Sequence, residues 1–399
     1  MSNHDPRSRL GLRPVINTSG TMTSLGASIV VPEAIEAMTE LLPQFVEMGD
    51  LHRLASRAIA TATGAEAGFV TASAAAGITL AIAAAMTGPD LAAIERLPST
   101  TGLKDEVAVL AGHLVDYGAP LDQSIRLAGA KPVVVGQATS SHAYQLAGAI
   151  GERTAAALFV ASHHVAHYGM VPFETFVAVA HAEGVPVIVD AASEYDLTGF
   201  IAAGADIAIY SAHKFLGGPT AGLVAGRKDL VRATYLQNRG IGRGMKTGKE
   251  SILGAVAALD AWARRDHTAV RRRERAALDH WAAVLADRPG VRAEIEADPT
   301  HNPLDRLKVR IDPPAARITA WDLADALAAG SPPVIVRDHE VELGFFFLDP
   351  CNLHQDEEFV VGRRLVEELD RAATAPAPIA TSHAARRLRA EAKIQSWPD

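Results

Sequence analysis

Between residues 67 and 226, short apolar runs alternate with alanine-rich stretches of helical character, and that alternation narrows the possible folds sharply. The runs are AGFVTA (67–72), EVAVLA (106–111), KPVVVG (131–136), AALFVAS (156–162), VPVIVDAA (185–192), ADIAIYSA (205–212) and AGLVAG (221–226). They lack the polar-out alternation of strands with one solvated face. SAAAGITLAIAAAM (73–86) and FETFVAVAHAEG (173–184) read as helices between them. Buried strands mostly followed by helices predict an α/β fold with a mainly parallel sheet covered on both faces. After Arg265 the pattern changes to charged amphipathic helices and a few strands, which predicts a smaller α+β domain. The expected division is an N-terminal arm over 1–49, a large domain over 50–266, a small domain over 267–373, and a linker and tail over 374–399.

The 399 residues, 48% of them hydrophobic, suffice for a large core and more than one domain. A formal charge of −8 argues against nucleic acid as a partner, since phosphates select basic faces. Cys351 is the only cysteine, so no internal disulfide forms and a reducing compartment is natural. The segment MSNHDPRSRLGLRPVINTSG lacks the basic-then-apolar pattern of a signal peptide. Apolar stretches are interrupted well short of the ~20 residues that a membrane span requires. A cytoplasmic protein without a membrane partner is expected.

In a parallel α/β sheet, ligands bind beyond the carboxyl ends of the strands. After 67–72 come Ser73, Ala74, Ala75, Ala76 and Gly77, small residues opening a helix, where backbone amides can hold an anion. After 106–111 come Gly112 and His113, a histidine placed to stack on a flat ring or shuttle a proton. Asp190 ends the run VPVIV, and a carboxylate there needs a cationic or donor partner. Ser211, Ala212, His213 and Lys214 follow ADIAIY, and burial would make the Lys214 amine a usable nucleophile and base. Taken singly, each has a bland reading: a helix cap, a surface histidine, a structural ion pair, a lysine reaching solvent. Together they supply amides for a phosphate, a carboxylate for a ring nitrogen and an amine for an aldehyde, the contacts that pyridoxal 5'-phosphate (PLP) requires.

The chain resembles the aminotransferase-like (fold type I) PLP enzymes. Within them it is most similar to the D-glucosaminate-6-phosphate ammonia-lyase branch related to bacterial selenocysteine synthase. The resemblance is carried by RPVINTSGTMTSLGAS (13–28), TGAEAGFVTASAAAGITLA (63–81), LPSTTGLKDEV (97–107), VPVIVDAASE (185–194), YSAHKFLGGPTAGLVAGRKDL (210–230), GIGRGMKTGKE (240–250), PPVIVR (332–337) and LDPCNL (348–353). It implies that Lys214 carries the cofactor as a Schiff base and later acts as acid and base at Cα. It also implies that Asp190 pairs with the pyridine nitrogen, and that Ser73, the amides of Ala74 and Ala75, and Ser211 hold the phosphate. His113 would lie against the cofactor ring, and Arg337 would recognise a substrate carboxylate, which a guanidinium binds in bidentate fashion. His213 has no counterpart expected from the family; it could reach the phosphate or simply pack.

Arg243, Lys246 and Lys249 form a basic cluster among glycines, either a solvated loop or an anion contact in or near the active site. The segment ASHHVAHYGMVPFE (161–174) departs from the branch with His163, His164 and His167. No cysteine or carboxylate lies within HHVAH itself, so packing or substrate contact is expected there and no metal. DAASEYDLTGF (190–200) lacks the prolines typical of the branch. These departures bear on the substrate, not the cofactor. The resemblance implies a lyase that eliminates ammonia from a small hydroxy-amino acid or amino-sugar acid, with Lys214, His213 or His164 as acid for the leaving hydroxyl. A racemase or epimerase is the alternative. Selenium transfer, transamination and a non-catalytic subunit stand behind it, and a homodimer or larger homo-oligomer is expected from the fold.

Overall fold

Twelve strands occur among residues 5–398, which the computed structural model describes. In chain order they are β1 (Ile16–Thr18), β2 (Ala67–Thr71), β3 (Glu106–Leu110), β4 (Lys131–Val135), β5 (Thr154–Val160), β6 (Val187–Asp190), β7 (Ile207–Ser211), β8 (Gly222–Gly226), β9 (Val291–Ala297), β10 (Asp305–Ile311), β11 (Val334–Val336) and β12 (Phe345–Leu348). β2 to β8 form one sheet in the order β2-β8-β7-β6-β5-β3-β4. β8 alone runs opposite in direction to the other six. The expected mainly parallel sheet is present. Side chains do alternate along its strands, but both faces are apolar: Ile207 and Ile209 enter one core, Ala208 and Tyr210 the other. That double burial is why the sequence shows continuous apolar runs.

The helix Ala74–Thr87 is apolar on nearly every side, as a helix sunk into a core must be. It packs in the core that holds Phe69, Val107, Ile188 and Ile209. Its start is held close to β8 because Gly222 has no side chain: a Cβ there would lie 2.3 Å from the Ser73 carbonyl oxygen. This close approach fixes the corner where β2 hands over to the helix.

The chain divides into two compact units, Ser28–Arg265 and Met1–Ala27 with Asp266–Asp399. The arm expected over 1–49 is thus shared between them, because β1 pairs in parallel with β11, Ile16 opposite Val334. In this second unit β9, β10 and β12 form an antiparallel sheet in the order β12-β10-β9. Trp281, Leu307, Leu323, Phe346 and Leu365 fill its core. Residues 374–399 contain the helix His383–Gln395, where Arg386 pairs with Asp325 at 2.8 Å and Asp338 at 2.5 Å. Among the described residues no helix is long and apolar enough to cross a membrane.

One ionic network anchors this unit. Arg306 bridges Asp298 at 2.6 Å and Asp349 at 2.8 Å, all three being largely or fully buried. Burial opposes ionisation of both acids. Thr300 and Arg306 nevertheless hold Asp298 below its ordinary value, and Arg306 with Cys351 does the same for Asp349. Arg306→Met should cost about 3–5 kcal/mol, because two buried carboxylates lose their cation. Urea unfolding checks this, and a loss under about 1 kcal/mol would mean that water replaces the guanidinium freely.

Candidate active site

The corner after β2 is built from Ser73. Its extended backbone caps the helix Ala74–Thr87, and its Oγ accepts the Ala76 amide at 3.1 Å. The Gly77 amide donates to the Ser73 carbonyl at 2.9 Å. The Ala74 and Ala75 amides therefore have no acceptor inside the helix and remain available to an anion. The Ser73 hydroxyl keeps its proton to donate, since toward Ala76 it acts only as acceptor. Thr71 Oγ1 donates to the Ser73 carbonyl at 2.8 Å, holding the turn rigid.

Asp190 ends β6 and is 7% exposed. Its Oδ1 accepts the Ala192 amide at 3.2 Å. Burial pushes the Asp190 pKa up, while Lys214 is the strongest influence pulling it down. The two residues meet because β6 and β7 are parallel neighbours, with Asp190 opposite Ile209, so both strands end on one edge. Lys214 sits in the turn beyond β7, half-buried, its amide facing the Ser211 carbonyl at 3.4 Å. The Gly217 amide donates to the Lys214 carbonyl at 3.1 Å and closes that turn. Ser211 and Thr71 both pair with Gly222, so Ser211 and Ser73 flank β8 on the same edge. Ser73, Asp190, Ser211 and Lys214 thus gather at one end of the sheet.

His213 is half-buried, with its Nδ1 enclosed and without a hydrogen-bond partner. Burial, then the Lys214 charge, lowers its pKa. Its carbonyl accepts from Ser28 Oγ at 2.5 Å. His113 lies in the short turn Ala111–His113 after β3 and is 2% exposed. Its Nδ1 accepts the Val160 amide at 3.2 Å, which places the proton of the neutral ring on Nε2. Burial, then His167, pushes its pKa down to about 4. His113 is therefore neutral at physiological pH and offers a fixed N–H donor in place of a proton shuttle. Its ring meets Phe159 edge-on at 4.5 Å.

His163, His164 and His167 lie in the loop after β5. The His163 and His164 rings are 3.9 Å apart, and His167 Nε2 lies 3.1 Å from the His163 carbonyl. No group of three or more His, Cys, Asp or Glu among the described residues could hold a metal ion.

This geometry has relatives. The family described as SelA, L-seryl-tRNA selenium transferase, matches residues 15–275. The chain belongs to the SelA family. Within reach of that family, D-glucosaminate-6-phosphate ammonia lyase of Salmonella typhimurium is 39% identical over 365 residues, covering 92% of this chain and 98% of the relative. A 5'-C-glycyluridine monooxygenase-decarboxylase of Streptomyces is also 39% identical, over 367 residues, covering 90% and 91%. A solved D-glucosaminate-6-phosphate ammonia-lyase superposes with a TM-score of 0.84 at 38% identity, covering 93% of this chain and all of that one. A structure of SPT with PLP, 14% identical with a TM-score of 0.58 over 91% and 89% of the two chains, shares the fold.

The cofactor of this SelA-family chain is PLP. The residues present fit it. A buried carboxylate beside a lysine, two helix-start amides without internal acceptors and an enclosed His213 Nδ1 are groups that a charged ring and a phosphate would satisfy.

The other predicted residues are distributed more widely. In the second unit, Arg337 follows β11 and exchanges both backbone hydrogen bonds with Phe347 at 2.9 Å. Burial, then repulsion from Arg306, pulls its pKa down to about 10. Such an arginine would gain from an anion, and it has no ion pair among the described residues. Arg243 and Lys246 are exposed. Lys249 donates to the Gln44 carbonyl and lies 5.8 Å above the Phe45 ring. Sequence reasoning missed Ser28, whose hydroxyl tethers the turn that carries Lys214. The segments INTSG and LDPCNL, far apart in sequence, meet in the fold: Asn352 Nδ2 donates to the Gly20 carbonyl at 3.2 Å and the Ala27 carbonyl at 3.1 Å. Gly20, at φ +87, must stay bare because a Cβ would lie 2.8 Å from Asp349 Oδ2.

Proposed function

We propose that this chain eliminates ammonia from a small hydroxy-amino acid or amino-sugar acid, with Lys214 as the proton-moving group. The chain is a PLP-dependent lyase. The observation that carries the residue assignment is the facing of Lys214 and the buried Asp190 at one end of the sheet. When bound, PLP supplies an electron sink for the Cα carbanion. Asp190 would hold the ring nitrogen protonated, and the Ala74 and Ala75 amides with Ser73 and Ser211 would hold the phosphate. Lys214 Nζ would take the Cα proton. The Cβ–O bond then breaks, its electron pair leaving with the hydroxyl, which departs as water after protonation by Lys214, His213 or His164. The released enamine tautomerises and is hydrolysed by one water to a 2-oxo acid and ammonia. His113, held as an Nε2 donor, would lie against the ring. Arg337 would take the substrate carboxylate, and Arg243 and Lys246 an anionic group of substrate or of a neighbouring subunit's cofactor.

A homodimer or larger assembly fits the exposed Ile35, Leu42, Phe45, Met48 and Leu54, apolar side chains grouped on one stretch of the larger unit. A cytoplasmic location fits the single cysteine.

The equal identity to a monooxygenase-decarboxylase supports a second reading, oxygen-dependent decarboxylation of a glycyl nucleoside. One assay separates them. Ammonia and a 2-oxo acid should form in equal amounts, without oxygen, from D-glucosaminate-6-phosphate or a D- or L-hydroxy-amino acid. Oxygen uptake with carbon dioxide release from 5'-C-glycyluridine would favour the second reading. Exchange of the Cα proton with inversion and no ammonia would favour a racemase.

A further inference from the structure

A cavity of about 220 Å³ opens in the larger unit, bounded in part by His52, Arg53, Phe69, Lys228, Arg232 and Tyr235. It lies at the end of the sheet away from Lys214. Gly226 pairs with Ala67 and Ile207, the first residues of β2 and β7, and the helix Lys228–Leu236 begins just beyond it. Ser211 ends β7 about 13 Å away, four residues along the strand, and Ser73 lies just beyond the same end of β2.

Three rings wall the cavity. Their centroids are 5.3 Å apart for His52 and Phe69, 5.4 Å for His52 and Tyr235, and 5.6 Å for Phe69 and Tyr235. His52 Nδ1 is enclosed and has no hydrogen-bond partner, a costly state for a polar atom. Burial lowers the His52 pKa, so the ring is neutral at physiological pH. The rim is cationic. Arg53 is engaged by Asp50, and Glu66 accepts the Lys228 amide at 2.9 Å, but the Lys228 ammonium and the Arg232 guanidinium have no ion pair among the described residues. Both side chains are exposed.

We propose that this cavity binds a small aromatic phosphate, its ring laid against the cluster of His52, Phe69 and Tyr235 and its phosphate held by Lys228 and Arg232. The volume falls below the roughly 300–1,000 Å³ of sites for drug-sized ligands, which limits the occupant to a single ring. Planar rings match such a wall, and two unpaired cations select a dianion over a neutral group.

Calorimetric titration of phenyl phosphate into the PLP-loaded full chain tests this. Saturable binding at about 1 mM or tighter is expected, with phenol and inorganic phosphate each at least about tenfold weaker. Arg232→Glu, on an exposed helix face, should weaken binding at least about tenfold, and Tyr235→Ala should also weaken it. Lys214→Ala should bind as the parent does. The proposal is overturned by no saturation below about 10 mM, by equal affinity in Arg232→Glu, by inorganic phosphate matching phenyl phosphate, or by loss of binding in Lys214→Ala. The readout is heat rather than turnover, so failure here leaves the lyase reading intact.

Discussion

Lys214→Ala should lower turnover by about a thousandfold or more and remove the visible absorbance of the lysine-bound cofactor. In the proposed reaction the amine would serve twice, as attachment point for the cofactor aldehyde and as base at the substrate Cα. Losing it removes both functions, and no second lysine stands beside Asp190 in the same turn. The residue is half-buried in a turn closed by backbone hydrogen bonds from Gly217 and Gly218, so truncation leaves the local structure in place. Circular dichroism should therefore match the parent. Borohydride treatment of the parent, followed by peptide mapping, should place the reduced label on Lys214. A label on another lysine, or an unchanged spectrum in the variant, would remove Lys214 from the mechanism.

Asp190→Asn should separate function from stability. Turnover should fall by about two to four orders of magnitude, because a neutral amide cannot hold the ring nitrogen protonated. PLP should also bind more weakly. The cofactor-free protein should respond in the opposite sense. The Asp190 pKa is raised in the fold, chiefly by burial. The folded state therefore holds this proton more tightly than the unfolded chain, and stability declines as pH rises from the unfolded value through the raised one. The penalty is therefore present above the unfolded value and absent below it. Asparagine escapes it and still accepts the Ala192 amide, so the cofactor-free variant should unfold at equal or higher urea at pH 7. Below the unfolded pKa the difference should vanish. A cofactor-free variant less stable than the parent at pH 7 would show that attraction to Lys214 outweighs burial. Activity within tenfold of the parent would end the assignment of Asp190 as ring partner.

Much of the larger unit could be read from residue order alone, because its elements are set by local physics. Seven apolar runs predicted seven strands with ends close to those observed, and Ser73 before three alanines marked a helix start. The continuous apolarity of 207–210 even announced burial on both faces. β1 and β9 went unread for a physical reason. β1 has three residues and exists through pairing with β11, and β9 is a partly exposed edge strand rich in charge. Short or edge strands draw their stability from partners distant in sequence, which no local pattern records.

The candidate site divides along the same line. Residue type and strand position were enough to single out Asp190, Lys214, Ser73, Ser211 and His113, since side chains at strand ends in such a sheet face ligands. Only the tertiary structure decided how they are arranged and what surrounds them. Strand order set Asp190 beside Lys214 and put Ser211 across β8 from Ser73. The Val160 amide fixed the His113 tautomer, and burial held that ring neutral. Burial also left Arg337 short of an anion. Sequence determines which groups are available at a strand end; tautomer, charge state and unmet hydrogen bonds depend on what the fold packs around them.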